Sequence, residues 1–216
     1  MNKKKDIRAL TKEELRFFFV ENNDQAFRGN QVYEWLWSKS LHTFDAMTNI
    51  SKETREMLAA NFVINHIKVD SMQKSKDGTI KNGIKLHDGL IVESVLIPTE
   101  KRTTACVSSQ VGCSLDCKFC ATSRLKRMRN LNPDEIYDQV VVIDKQSRLY
   151  FNHKLSNIVF MGMGEPLMNY KNMMKSIEMI TSPEGLGMSS KRITVSTSGV
   201  PKMIKMMADE EVKFNL

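Results

Sequence analysis

Residues 103–122 read TTACVSSQVGCSLDCKFCAT: a short β-branched run leading into a loop with cysteines at 113, 117 and 120. Three thiols at C-x3-C-x2-C spacing can grip three irons of a cubane cluster and leave the fourth iron without a protein ligand. An open iron can chelate the amino and carboxylate groups of S-adenosylmethionine (SAM). The reduced cluster can then pass one electron to the sulfonium and release a 5′-deoxyadenosyl radical. The competing chemistry is a structural zinc site, which needs four ligands, usually as two well-separated pairs. Cys106 or one of His42, His66, His87 and His153 would have to complete it, and no second C-x2-C pair follows. The four cysteines all lie between 106 and 120. Such clustering points to metal or redox chemistry and away from a disulfide framework.

Downstream of this loop, strand and helix patterns alternate. Asn132 as cap and Pro133 at the first helical position open a helix over about 133–148. NIVFMG follows as a strand, and NYKNMMKSIEMI as a helix with Met174 and Ile177 on one face. RITVSTSG reads as a strand, VPKMIKMMAD as a helix and EEVKFNL as a strand. Such alternation means an α/β fold with a parallel sheet or barrel. Only about three β/α units are present, whereas a closed eight-unit barrel takes about 250 residues, so a partial (β/α) barrel is expected. Within it, IVFMGMGEPL runs a strand straight into Gly162, Gly164, Glu165 and Pro166. Glycines at the carboxyl end of a parallel strand let the backbone approach a ligand closely. Glu165 could accept from a ligand's ammonium. A lone GxGE would be a tight turn with a capping acid; beside the cysteine triad the ligand reading prevails.

Upstream, residues 1–64 read as a small helical accessory domain. Thr11 and Glu14 have capping-box spacing, and Leu15, Phe18 and Phe19 form an apolar stripe. Val32, Trp35 and Leu36 repeat the pattern after Gly29, and Ser51 could cap a third helix carrying Met57, Leu58 and Phe62. Trp35 and Trp37 read as packing residues in preference to base-stacking ones. Over 65–100, TIKNGIKLH and LIVESVLIP around the turn HDG read as a β-hairpin linking to the truncated core at 101–216.

The 216 residues are 41% hydrophobic and 26% charged, which fits a soluble globular chain. No stretch approaches the roughly 20 apolar residues of a membrane span. The N-terminus lacks the apolar region of a signal peptide, so a cytoplasmic location is expected. The net charge of +7 fits a polyanionic partner such as RNA. Arg124, Lys126, Arg127 and Arg129 stand close behind the triad and could hold phosphates, whereas Lys3, Lys4 and Lys5 read as a solvated tail. Most of the 15 methionines sit at helical spacing and read as core filling.

The cysteine motif, with aromatic Phe119 before its last thiol, resembles the radical SAM superfamily signature. CVSSQVGCSLDCKFCAT, VFMGMGEPLMNY and KRITVSTSGV together closely resemble the radical SAM 23S ribosomal RNA adenine-C2 methyltransferases, which also modify transfer RNA. FRGNQVYEWLW, DGTIKNGIKL and VESVLIP look like the same family's accessory domain and its link to the barrel. The resemblance implies a 4Fe-4S cluster on Cys113, Cys117 and Cys120, and SAM contacts at Gly164, Glu165 and Ser196. It implies that Cys106 is the resolving cysteine and Glu93 the proton acceptor. In the implied chemistry SAM first methylates an enzyme cysteine. A radical from a second SAM then takes a hydrogen from that methyl group, and the methylene adds to C2. A base removes the C2 proton and the second cysteine closes a disulfide. The implied partners are 23S rRNA, tRNA and a reductant such as flavodoxin or ferredoxin. No cysteine follows Cys120 to carry the methyl, so the chain is expected to be a fragment or split product, inactive alone. An adenine-C8 methyltransferase of the same superfamily and a non-catalytic RNA-binding fragment stay open as alternatives.

Overall fold

The computed structural model describes residues 4–216, which divide into two units: residues 4–66 with 182–187, and residues 67–181 with 188–216. In the first unit, β1 (Lys5–Asp6) precedes three ten-residue helices, α1 (Lys12–Glu21), α2 (Phe27–Leu36) and α3 (Lys52–Asn61), and β2 (Phe62–Val63) closes it. The Thr11–Glu14 capping box forms, and the Ser51 hydroxyl accepts from the Thr54 amide at 3.2 Å. Ile7, Leu15, Phe19, Val32, Leu36, Met47 and Leu58 build the core, with Trp37 buried beside them. Trp35 is half-buried, with the Lys39 ammonium 3.6 Å from its ring centroid, so both tryptophans pack against protein. Phe62 is not on the third helix as the spacing suggests; it caps α3 and pairs with Lys5 in the parallel β1–β2 ladder. That ladder, and a Lys4 ammonium bond to the Ala59 carbonyl, remove Lys4 and Lys5 from the expected loose tail. Lys3 lies outside the described residues.

Gly29 sets the approach of α1 and α2. A Cβ there would lie 2.6 Å from the Arg16 nitrogen and 2.8 Å from its Cα, both backbone atoms that cannot swing aside. Alanine normally favours a helix over glycine by up to about 1 kcal/mol. Gly29→Ala is nevertheless expected to destabilise this unit by about 2 kcal/mol through overpacking, read as a lower midpoint in denaturant unfolding.

In the second unit, six strands form one sheet in the order β10-β9-β6-β5-β4-β3. They are β3 (Lys68–Lys74), β4 (Ile80–Lys85), β5 (Ile91–Pro98), β6 (Thr103–Cys106), β9 (Asn157–Phe160) and β10 (Ile193–Val195); β7 (Gln110–Val111) and β8 (Arg129–Asn130) form a separate two-stranded pair. Strands β6, β9 and β10 are parallel, joined through α4 (Pro133–Phe151) and α5 (Tyr170–Thr181), and α6 (Pro201–Asp209) follows β10. These are the three expected β/α units, preceded by the expected β4–β5 hairpin. Helix α4 opens on an Asn132–Glu135 capping box and ends at Phe151, three residues beyond the range read from sequence, with Asn152 in the left-handed region as its cap.

Strand β3 adds a third antiparallel strand that the sequence pattern did not reveal. All seven of its residues are exposed and it carries an irregularity between Val69 and Ser71, so no apolar alternation marks it. The strand expected over 210–216 shrinks to a single bridge between Thr194 and Asn215. The Glu210 amide still bonds the Met206 carbonyl of α6, and Glu211 has φ +47°, so the helix end consumes the first half of that segment.

The period-two rule sorts the sheet into two faces. Ile80, Ile84, Val92, Leu96, Ala105, Ile158, Phe160, Ile193 and Val195 are buried on one face. The alternate residues, including Lys81, Glu93, Val95, Cys106, Val159 and Thr194, are only partly covered or exposed. The open face carries the residues of interest. No helix among the described residues is long and apolar enough to cross a membrane.

Candidate radical SAM site

The chain leaves β6 through Val107, Ser108 and Ser109, which lie across the carboxyl ends of the parallel strands. The Val107 amide donates to the Val159 carbonyl at 3.0 Å, and the amides of Ser109 and Gln110 both donate to the Met163 carbonyl at 2.9 and 3.1 Å. The β7–β8 pair then closes the neck of the cysteine loop. Gly112, at φ +71°, is required there, because a Cβ would lie 2.3 Å from the Lys126 carbonyl oxygen.

Inside the loop the Cys120 amide donates to the Cys117 carbonyl at 3.0 Å. The Ser123 hydroxyl donates to the Cys117 and Cys120 carbonyls at 3.0 and 2.6 Å. The Leu115 amide points at the Cys113 sulfur at 3.5 Å. All four cysteines are free and partly exposed. Among the described residues no three His, Cys, Asp or Glu side chains converge as a preformed metal shell. The donor set nevertheless fits three irons of a cluster: three unpaired thiols in one loop, and one backbone amide aimed at a sulfur. Two of the histidines that could complete a zinc site have other partners, and Cys106 stands outside the loop. His87 bonds Glu135 at 3.3 Å, His153 bonds the Lys154 carbonyl, and Cys106 sits on β6.

Cys106 lies opposite Val95 on β5 and Val159 on β9, on the open face. Burial pushes its thiol up from the ordinary cysteine range, against a bond from the Met161 amide that works to lower it. Glu93 shares the face two residues from Val95, towards the end where the parallel strands finish. Its carboxylate is half exposed and lies 2.6 Å from the Lys81 ammonium, while its carbonyl accepts from the Ser108 hydroxyl at 2.5 Å. The same Ser108 oxygen accepts the Met163 amide at 2.8 Å. One fully buried hydroxyl thus ties the strand of Glu93 to the glycine-rich loop. Gly162 makes room for it, since a Cβ there would stand 2.7 Å from that oxygen.

The glycine-rich loop follows β9. Gly164 has φ +90°, and a Cβ would meet the Gln110 Cβ at 2.4 Å. The Glu165 amide donates to the Gln110 side-chain oxygen at 2.9 Å. Its carboxylate receives Leu167, Thr197 and Ser198, so it joins this loop to the one after β10, which carries half-buried Ser196. The structure therefore brings Glu93, Cys106, Gly164, Glu165, Ser196 and the cysteine loop to one edge of the sheet. Sequence reading missed Ser108 and Gln110, the polar hub beneath them; both are fully buried. A polar SSQ run straight after an apolar strand was the only signal for them.

Of the four basic residues after the triad, Arg129 is withdrawn from the expected phosphate contacts. Its guanidinium bonds Glu135 at 2.7 and 2.8 Å and Asp88 at 2.6 Å. Arg124, Lys126 and Arg127 remain exposed, next to exposed Leu125 and Met128.

Residues 5–64 match the ribosomal RNA large subunit methyltransferase N-terminal domain, and residues 107–215 match the radical SAM superfamily. The chain is 76% identical over 213 residues to a probable dual-specificity RNA methyltransferase RlmN of Flavobacterium johnsoniae, covering 99% of this chain and 61% of that one. A dual-specificity RNA methyltransferase RlmN of Geotalea uraniireducens is 42% identical over 210 residues, covering 97% and 60%. The crystal structure of a radical SAM methyltransferase from Sphaerobacter thermophilus superposes with a TM-score of 0.86 at 35% identity, covering 97% of this chain and 62% of that one. The chain thus spans about three fifths of the length of the curated relatives it matches.

Proposed function

Because the chain belongs to the radical SAM superfamily and carries the N-terminal domain of the ribosomal RNA large subunit methyltransferases, we propose that it forms part of an enzyme that methylates adenine C2 in 23S rRNA and tRNA. The observation that carries the reading is the meeting of the cysteine loop, the glycine-rich loop and the Glu93 strand on Ser108–Gln110. The relatives' shared description as dual-specificity RNA methyltransferases supports RNA of two kinds as substrate.

In this reading Cys113, Cys117 and Cys120 hold a 4Fe-4S cluster, and the Gly164–Glu165 segment and Ser196 hold SAM. When bound, cluster and SAM supply one-electron cleavage of a carbon–sulfur bond, which opens a route to an unactivated sp2 carbon. Glu93, whose carboxylate lies 2.6 Å from the Lys81 ammonium, takes the C2 proton. Cys106 stays a neutral thiol at neutral pH, held back by burial, until it resolves the adduct by forming a disulfide. Its partner in that step is an S-methylated cysteine. Arg124, Lys126 and Arg127 hold RNA phosphates beside the site, the protein works in the cytoplasm, and a flavodoxin or ferredoxin supplies electrons.

Nucleoside mass spectrometry of ribosomal and transfer RNA from cells lacking the gene tests the reading. Loss of 2-methyladenosine from both is expected. Loss of 8-methyladenosine instead, or no change in either, contradicts it.

A further inference from the structure

Glu165 stands where the sequence alone suggests a carboxylate for the SAM ammonium, yet its side chain is already fully used. A carboxylate offers about four acceptor positions, two on each oxygen. Oε1 accepts the Leu167 amide at 2.9 Å and the Thr197 hydroxyl at 2.8 Å. Oε2 accepts the Ser198 amide at 2.8 Å and the Ser198 hydroxyl at 3.0 Å. The residue is only 4% exposed, so little water competes for these positions. Its backbone is engaged too: the amide donates to Gln110 and the carbonyl accepts from Met168 at 3.1 Å. A ligand ammonium could bind this carboxylate only by evicting one of four donors, two of which are backbone amides that would then need new partners.

We propose that Glu165 is a positioning residue whose carboxylate clamps the loop after β10 to the loop after β9, placing Ser196 and the loop backbone around SAM without itself contacting the SAM ammonium. The proposal rests on reading this edge of the sheet as the SAM site. It assigns the carboxylate the task of holding two strand-end loops in register, and leaves recognition of the ammonium to the main chain that it orients.

The test compares S-adenosylhomocysteine with its desamino analogue, by calorimetry, on the cluster-reconstituted chain and its Glu165→Gln variant. Glutamine places an NH2 group against the Ser198 or Leu167 donors, so both ligands are expected to weaken by about tenfold or more. The preference for the ligand bearing the amino group is expected to stay the same within about twofold, because the group lost is not its partner. A paired Thr197→Val, Ser198→Ala variant, with Glu165 intact, is expected to weaken both ligands in the same way. Collapse of the amino-group preference by about tenfold or more in Glu165→Gln overturns the proposal. Amide exchange supplies the second readout: Ser198 and Leu167 are expected to exchange faster in Glu165→Gln, and unchanged protection overturns the clamp. If neither ligand binds the unmodified chain, the SAM-site reading fails, while the exchange data still decide the clamp.

Discussion

Gly164→Ala is expected to lower SAM affinity by about tenfold and 5′-deoxyadenosine formation by about a hundredfold, the scale of loss that a 1 Å misplacement brings. Two causes add. Gly164 has φ +90°, which non-glycine residues adopt only under strain, and its added Cβ would lie 2.4 Å from the Gln110 Cβ. Gln110 cannot retreat. It is fully buried, its side-chain oxygen holds the Glu165 amide at 2.9 Å, and its NH2 holds Asn130 at 2.8 Å. The glycine-rich loop must therefore move. Gly89 is the control: it has φ +85°, but nothing stands within 4 Å of an added Cβ. Gly89→Ala should thus show backbone strain of about 1 kcal/mol in stability and no change in SAM affinity. Equal losses of affinity in both variants would show that loop contact with Gln110 is irrelevant.

Arg129→Met is expected to destabilise the second unit by about 3 kcal/mol, seen as a lower midpoint and an unchanged slope in denaturant unfolding. The Glu135 side chain is only 2% exposed and faces Arg129 through two bonds. Removing the guanidinium leaves that carboxylate with the Asn132 amide and His87. Arg129 itself is a quarter exposed, which keeps the loss at the low end for a buried pair. Glu135→Gln in the same background should recover part of it. Asp88 gives the pH signature. Burial works to raise its carboxyl, but the bonds from Arg129 and the Leu90 amide outweigh that and hold it below the ordinary aspartate range. A depressed folded pKa contributes stability above the unfolded value and loses it as pH falls through the folded one. Asp88→Asn should therefore lower stability at neutral pH and flatten the acid limb below about pH 4. An acid limb identical to the wild type would mean that Asp88 contributes nothing.

Much of this was legible in the residues because the signals were local. Capping at Thr11, Ser51 and Asn132, the β4–β5 alternation and the strand-to-glycine run at 157–164 each declare an element without knowledge of its neighbours. Strand β3 was hidden because an edge strand exposed on both faces has no apolar period to read. Arg129 looked like its neighbours in the basic run, yet Glu135 and Asp88, distant by 6 and 41 residues, claim it. Glu93 and Cys106 are singled out by resemblance alone; the ladder register then shows that they share the open face, since Val95, two residues from Glu93, stands opposite Cys106. Ser108 and Glu165 show the same limit. A hydroxyl that bridges two segments, and a carboxylate whose four acceptor positions are taken by two loops, are facts of tertiary structure.

The most direct measurement is 5′-deoxyadenosine formation by the anaerobically purified chain, reconstituted with iron and sulfide and given SAM and a reductant. The Cys113/Cys117/Cys120→Ala variant is assayed beside it. Bound iron and sulfide with 5′-deoxyadenosine that disappears in the triple variant is the expected result. Zinc in place of iron, or the same product from the triple variant, would contradict the assignment of these three thiols to a radical SAM cluster.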